Sequence, residues 1–221
     1  MKKVTVIIVA AGEGRRFGCL KQFERLKDKT VLDLCLEQFE TQERISEIIL
    51  VVKDESIKDQ YLKAYRKVVA VARGGEKRQD SVYSGIQLID PAKAEIILVH
   101  DGVRPLVDEA LTRRVIEATE IYDAAIPVLP VEDTVKIIDG NKVSQTPDRS
   151  RIFKVQTPQG FDFNLLKTVL EKAKEKNHYT TDEAALVEWA GHDVHIVPGD
   201  PRNIKITSPL DLKLAELLLE L

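Results

Sequence analysis

The chain has 221 residues, 43% hydrophobic and 31% charged, with a net charge of -3. That length suffices for one large domain with its own core, while the slight acidity argues against a nucleic-acid binder and no apolar run is long enough to span a bilayer. There are two cysteines, Cys19 and Cys35, and Met-Lys-Lys leads directly into a strand pattern without a signal peptide's apolar stretch, so a reducing, cytoplasmic setting is expected.

The first predicted strand, Val4 to Ala11, is a continuous apolar run of the kind buried on both faces of a parallel sheet. It runs into a loop holding Gly12, Gly14 and Gly18 among Arg15, Arg16 and Lys21. Exposed amides beside fixed cations suit a polyphosphate, whose charge is spread over many oxygens. The loop lacks the Gly-Lys-Ser/Thr of a Walker motif. Its G-x-G-x-x-x-G spacing, with two arginines inside, also departs from the dinucleotide fingerprint. Arginines at that position fit a site where phosphate bonds are made or broken. Read alone, the loop is also compatible with a solvated surface turn.

Strand and helix patterns then alternate. Thr30 caps a helix to about Gln42, and Ile48 to Val52 is a strand. Ser56 with Asp59 opens a helix to about Tyr65, followed by a strand from Val68 to Ala72. Ser81 to Ile89 reads as helix, Ile96 to Val99 as strand, Glu109 to Tyr122 as helix and Ala124 to Val128 as strand. The rhythm predicts a mostly parallel sheet with helices on both faces, a Rossmann-like three-layer α/β domain. It breaks between Pro130 and Pro158, where Thr134 to Ile138 and Lys142 to Gln145 flank Asp139-Gly140-Asn141 as a β-hairpin. Such a hairpin has too little core of its own and should lie against the sheet or a neighbouring subunit. Helices follow at Phe163 to Lys174 and from Thr181 or Asp182 to Trp189. A short strand at Val194 to Val197, an extended Asn203 to Ile206 and a final helix opened by Ser208-Pro209 complete the chain. One domain spanning residues 1–221, with an arm at about 131–157, is the expected organisation.

Ligands of doubly wound sheets bind beyond the carboxyl ends of the strands, and the polar clusters fall there. Gly74-Gly75 and Ser81 follow the third strand and could admit a base or ribose edge. Asp101 and Arg104 follow the fourth, where Asp101 suits Mg²⁺ or a sugar hydroxyl. A structural alternative makes Asp101 a turn cap and Arg104 its partner. Lys205 alternates with Ile204 and Ile206, so it could reach the strand ends or stand as a solvated lysine. Thr134, Arg149 and Arg151 read alone as decoration of the arm. His100 reads as structural, because adjacent strand residues face opposite ways.

The motifs AAGEGRRFG (Ala10 to Gly18), Lys21-Gln22, GGEKRQDSV (Gly74 to Val82) and VHDGVRP (Val99 to Pro105) continue through VEDTVK, TPQGF, TDEA and NIKIT. In this order they closely resemble the 2-C-methyl-D-erythritol 4-phosphate cytidylyltransferase family over nearly the whole chain. The resemblance implies joining CTP to methylerythritol 4-phosphate with Mg²⁺, releasing pyrophosphate. It places Arg16, Lys21 and Lys205 around the phosphates as catalytic cations. Ala10, Ala11, Gly12, Gly14, Gly75 and Ser81 bind CTP by the same matching. Asp101 and Arg104 face the polyol phosphate, with Asp101 also the metal-binding candidate. Thr134 and Arg149 serve a partner's site across a homodimer whose arms cross. The Arg16 to Lys21 interval is shorter than the family's, and Gly102-Val103 stands where small residues such as alanine are common.

The nearest alternative is a cytidylyltransferase acting on ribitol 5-phosphate, using much the same nucleotide site. A UTP- or GTP-dependent sugar nucleotidyltransferase fits Gly74-Gly75 and Ser81 less well. A non-catalytic nucleotide sensor would have little need of Arg16, Lys21 and Lys205 together, and the loop spacing disfavours an NAD-dependent oxidoreductase.

Overall fold

Strand β1 (Val4–Ala10) sends Val4, Val6, Ile8 and Ala10 to one face of the sheet and Ile7 to the other, and both faces are covered. This double burial is what a run without polar alternation requires. The computed structural model describes residues 2–14, 17–18 and 20–220, so the expectations for Arg16 and Cys19 fall outside the described residues. After the loop, β2 (Arg25–Leu26) and β3 (Lys29–Thr30) form a small antiparallel ribbon before α1 (Val31–Glu40). Thr30 caps α1 by accepting the Asp33 N–H at 3.1 Å. Then come β4 (Ile45–Val52), α2 (Lys58–Ala64), β5 (Val68–Arg73), α3 (Arg78–Ile86), β6 (Ile96–Asp101) and α4 (Glu109–Tyr122).

Two helix starts differ from the sequence reading. The cap before α2 is Asp54, which accepts the Ser56 N–H across a 3₁₀ turn, so Ser56 receives no capping role. Helix α3 runs from Arg78 to Ile86, earlier at both ends than the expected Ser81 to Ile89, which places Ser81 inside its first turn rather than at its start.

The chain continues through β7 (Ala124–Pro130) into the arm. There β8 (Ile137–Asp139) and β9 (Lys142–Gln145) pair only with each other among the described residues, and Thr134 lies before the first strand rather than in it. Two strands without a sequence-based expectation follow, β10 (Phe153–Val155) and β11 (Gln159–Asp162). Helices α5 (Phe163–Glu175) and α6 (Glu183–Trp189), strand β12 (His195–Pro198) and helix α7 (Pro209–Leu218) complete the order. Asn203 to Ile206 runs outside the sheet, and the Ile206 N–H donates to the Val103 carbonyl at 2.9 Å.

Among the described residues the main sheet has eight strands, in the order β10-β7-β11-β6-β1-β4-β5 with β12 parallel to β7. The β6-β1-β4-β5 half is parallel, whereas β10 and β11 run antiparallel to their neighbours. On one face, Leu32, Cys35, Leu36 and Phe39 of α1 and Leu111, Val115 and Ile116 of α4 pack on β1, β4 and β6. On the other, Val82 and Ile86 of α3, Leu166, Val169 and Leu170 of α5 and Leu186 of α6 cover Ile7, Ile49, Val51, Ile97 and Val99. Each fully buried aliphatic side chain stabilises by about 1.5–3 kcal/mol, and together they hold the parallel strands' carboxyl ends in register.

Candidate active site

Parallel register sets Val9 of β1 beside Asp101 at the end of β6. The loop leaving β1 is pinned from within by Gln22, a buried side chain whose Nε2 donates to the Ala10 carbonyl at 3.0 Å and the Gly12 carbonyl at 3.2 Å. Those two carbonyls are thereby turned inward, and a Cβ added at Gly12 would meet open space. Lys21 opens the 3₁₀ turn that carries Gln22. Beyond β5, a Cβ on Gly74 would sit 2.2 Å from the Ala11 Cβ and 3.0 Å from the Ser81 Oγ. Only glycine permits that approach, and it brings Ala11, Gly75 and Ser81 into one notch. The Gly75 N–H donates to Ser81 Oγ at 3.2 Å, so the hydroxyl that sequence reading offered to a base is here fixing the loop.

Asp101, 6% exposed, collects three cations. Arg78 Nε lies 3.2 Å from its Oδ1, while Lys205 Nζ at 2.8 Å and Arg104 Nε at 3.6 Å face its Oδ2. Burial opposes the charge of Asp101, but Arg78, Lys205 and Arg104 outweigh it and hold the carboxyl well below the usual range. The expected reach of Lys205 to the strand ends is thus met, by a segment outside the sheet. Arg104 is nearly buried and its Nη1 donates to the Asn203 carbonyl at 2.8 Å; burial pulls its pKa down. It therefore ties the Lys205 segment to the β6 turn as well as facing Asp101.

Beneath the carboxylate lies His100, fully buried, with Nε2 3.2 Å from the Arg104 carbonyl and Nδ1 3.1 Å from Thr157 Oγ1. A carbonyl can only accept, which assigns the ring proton to Nε2 and makes Nδ1 the acceptor of the Thr157 hydroxyl. Thr157 Oγ1 in turn accepts the Asp101 N–H at 3.1 Å. Burial pushes the His100 pKa down to about 3, so the ring is a neutral spacer, as its strand position implied.

Two residues of the cluster carried no role in the sequence reading. Arg78 stood unassigned in GGEKRQDSV, and Glu183 in TDEA; the structure brings Arg78 Nη1 to 2.5 Å from Glu183 Oε2. The sequence offered only an acidic residue, Glu183, directly after the Asp182 helix cap. Thr134 and Arg149 stand exposed in the arm, where Arg149 Nη1 donates to the Glu132 carbonyl at 2.7 Å. Neither makes a hydrogen bond or ion pair with the Asp101 cluster among the described residues.

Of the two carboxylates here Glu183 is buried against Arg78, which leaves Asp101 for a divalent cation, and no group of three His, Cys, Asp or Glu suited to a metal occurs among the described residues. One carboxylate is what magnesium takes when phosphates supply the other oxygens. Asp101 fits that part on release of Lys205 from its Oδ2.

Cations gathered at the carboxyl ends of parallel strands, beside backbone left open by glycines, mark the doubly wound proteins that bind nucleotides through their phosphates. Comparison with known proteins then resolves the family. Residues 4–221 match the family model described as IspD, 2-C-methyl-D-erythritol 4-phosphate cytidylyltransferase. A relative of that name from Geobacillus kaustophilus is 44% identical over 219 residues, covering 96% of this chain and 95% of the relative. One from Clostridioides difficile is 39% identical over 223 residues, covering 98% and 94%. The crystal structure of 4-diphosphocytidyl-2C-methyl-D-erythritol synthase from Anaerococcus prevotii superposes with a TM-score of 0.88 at 34% identity, over 100% of this chain and 99% of that one. The cytidylyltransferase structure from Thermus thermophilus gives 0.82 at 33%, over 99% and 100%. The chain belongs to the 2-C-methyl-D-erythritol 4-phosphate cytidylyltransferase family.

Proposed function

We propose that this protein transfers the cytidylyl group of CTP to 2-C-methyl-D-erythritol 4-phosphate, giving 4-diphosphocytidyl-2-C-methyl-D-erythritol and pyrophosphate for isoprenoid synthesis. The observation that carries the reading is the Lys205–Asp101–Arg104 cluster beside the glycine loop, in a chain that matches the family from residue 4 to residue 221. An oxygen of the polyol phosphate attacks the α-phosphorus of CTP. The bond from that phosphorus to the bridging oxygen breaks, and its electron pair leaves with pyrophosphate. Two polyanions must meet, so the work of the protein is orientation and charge neutralisation rather than covalent catalysis.

Lys205 exchanges Asp101 for the incoming phosphate, and Lys21 with Arg16 steadies the triphosphate. Ala10, Ala11, Gly12, Gly14, Gly75 and Ser81 form the cytidine notch, where hydrogen bonds to the exocyclic amine exclude uracil because a carbonyl would leave donors and acceptors unpaired. Asp101 accepts a polyol hydroxyl, and Arg104 fixes the segment that carries Lys205. Asp101 would be the protein carboxylate for a Mg²⁺ bound with the triphosphate, which would supply further charge neutralisation. The arm's exposed Ile137, Ile138 and Val143 favour a homodimer in which Thr134 and Arg149 enter the partner's site, since a two-stranded hairpin is marginal alone. A cytoplasmic location agrees with Cys35 being a free thiol.

The test is pyrophosphate release from CTP and Mg²⁺, with methylerythritol 4-phosphate and ribitol 5-phosphate in parallel. Release with the first alone is expected. Release with the second alone would keep the chemistry and move the protein to polyol activation.

A further inference from the structure

Three cations meet Asp101, and they are not equivalent. Among the described residues, the ion pairs of Lys205 and Arg104 are with Asp101 alone. Arg78 is held at both ends: Nε faces Asp101 Oδ1 at 3.2 Å and Nη1 faces Glu183 Oε2 at 2.5 Å. Glu183 is 1% exposed and opens α6, a helix fixed by its Asp182 cap and by Leu186 and Val187 in the core. Further contacts lock the same junction. Gln79, next to Arg78, donates to the His178 carbonyl and accepts the Thr180 N–H, while Gln159 donates to Asp182 and accepts the Ala184 N–H. The Glu183 carboxylate therefore cannot follow a ligand.

This asymmetry matters when a phosphate arrives. A lysine on a flexible stem can trade one anion for another, whereas a planar guanidinium bridged between two carboxylates stays where both hold it. We infer that Glu183 is a positioning residue for the cytidylyl transfer: through Arg78 it fixes the Oδ1 side of Asp101, so that Lys205 leaves Oδ2 for the substrate phosphate without the carboxylate moving or losing its counter-charge. The inference rests on the methylerythritol phosphate reading above. Burial pushes the Glu183 pKa up against the opposing charge of Arg78, which ties the state of the anchor to that pair. The consequence is selective. Losing the anchor disturbs the polyol side, at Asp101, and leaves the cytidine notch at Ala11, Gly75 and Ser81 untouched.

The test separates positioning from mere stability. Removing one partner of a buried ion pair destabilises, whereas replacing both by apolar groups of similar volume commonly restores the fold. Steady-state kinetics with each substrate varied, together with thermal denaturation, are measured for wild type, Glu183→Gln and the double variant Arg78→Met/Glu183→Leu. The expected result is a rise of about tenfold or more in KM for methylerythritol 4-phosphate in both, one lost charge-assisted contact's worth. KM for CTP should stay within about threefold, even where the double variant melts like wild type. A folded double variant with both KM values unchanged would overturn the inference and leave the pair purely structural. Should the double variant not fold, an unchanged polyol KM in the near-isosteric Glu183→Gln would overturn it equally. Wild-type protein inactive with methylerythritol 4-phosphate would instead sink the functional reading itself.

Discussion

Lys205 sits 2.8 Å from Asp101 with 38% of its side chain open to solvent, which is the position of a cation waiting for a second anion. Its charge should be worth more as phosphate charge redistributes than in ground-state binding. Lys205→Ala is accordingly expected to cut kcat by about 100-fold or more while changing CTP affinity little; a near-wild-type rate would remove Lys205 from catalysis. His100 makes a different demand. Its ordinary pKa of 6.5 falls to about 3 on burial, so between those values the unfolded chain binds a proton that the folded chain refuses. Stability must then fall as pH falls through that window, by about 2 kcal/mol from pH 7 to pH 5. Asp101, depressed from its ordinary 3.8, adds the same sign of change only below that value. Urea denaturation across pH 7 to 4.5 should show this slope in wild type and a flatter one in His100→Asn. Equal slopes would mean that His100 is not the group refusing the proton.

At the scale of elements, β11 explains why the sheet was only partly legible. Gln159–Asp162 holds one large apolar residue and a glycine, too little pattern to read as a strand. It nonetheless lies between β6 and β7, antiparallel to both. Gly160 makes this possible, since a Cβ there would come 2.2 Å from Thr119 Oγ1 and 2.9 Å from the Val115 Cγ1 of α4. Gly160→Ala should therefore cost about 1–3 kcal/mol by overpacking, read as a lowered denaturation midpoint; an unchanged midpoint would mean α4 yields freely. Helix ends were more legible. Thr30, Asp182 and Ser208 each accept the N–H expected of a cap, because capping depends on a few neighbouring residues. Ser56 failed because Asp54, two residues earlier, accepts its N–H instead.

At the scale of the molecule, the arm is the part whose own chain gives it least. Its strands β8 and β9 are exposed throughout and, among the described residues, join no other sheet, so the apolar side chains of Ile137, Ile138 and Val143 gain burial only from another surface. With crossed arms, Arg149→Ala and Lys21→Ala homodimers would each be inactive. Refolded together they should recover about a quarter of wild-type sites, because half the dimers are mixed and each mixed dimer has one intact site. No recovery on mixing, with dimers verified by sedimentation, would argue that each site is built within one chain.

Much of the site was readable before folding. Alternation alone pointed Lys205 away from Ile206, and the strand-end rule gathered the glycine loop, Gly75, Ser81, Asp101 and Arg104 at one edge. These features depend on periodicity and on short motifs, which are local properties of the chain. Arg78 and Glu183 lie 105 residues apart, and nothing local marks either as the other's partner. Their meeting depends on α6 docking against the start of α3. The same holds for Gln22 beneath the loop and for Thr157 between His100 and Asp101. Local patterning carried the α/β class, the glycine- and arginine-rich run after β1 and the identity of most cations. Which charges share a carboxylate came from packing, because an ion pair's partner is set at distances the sequence pattern does not encode.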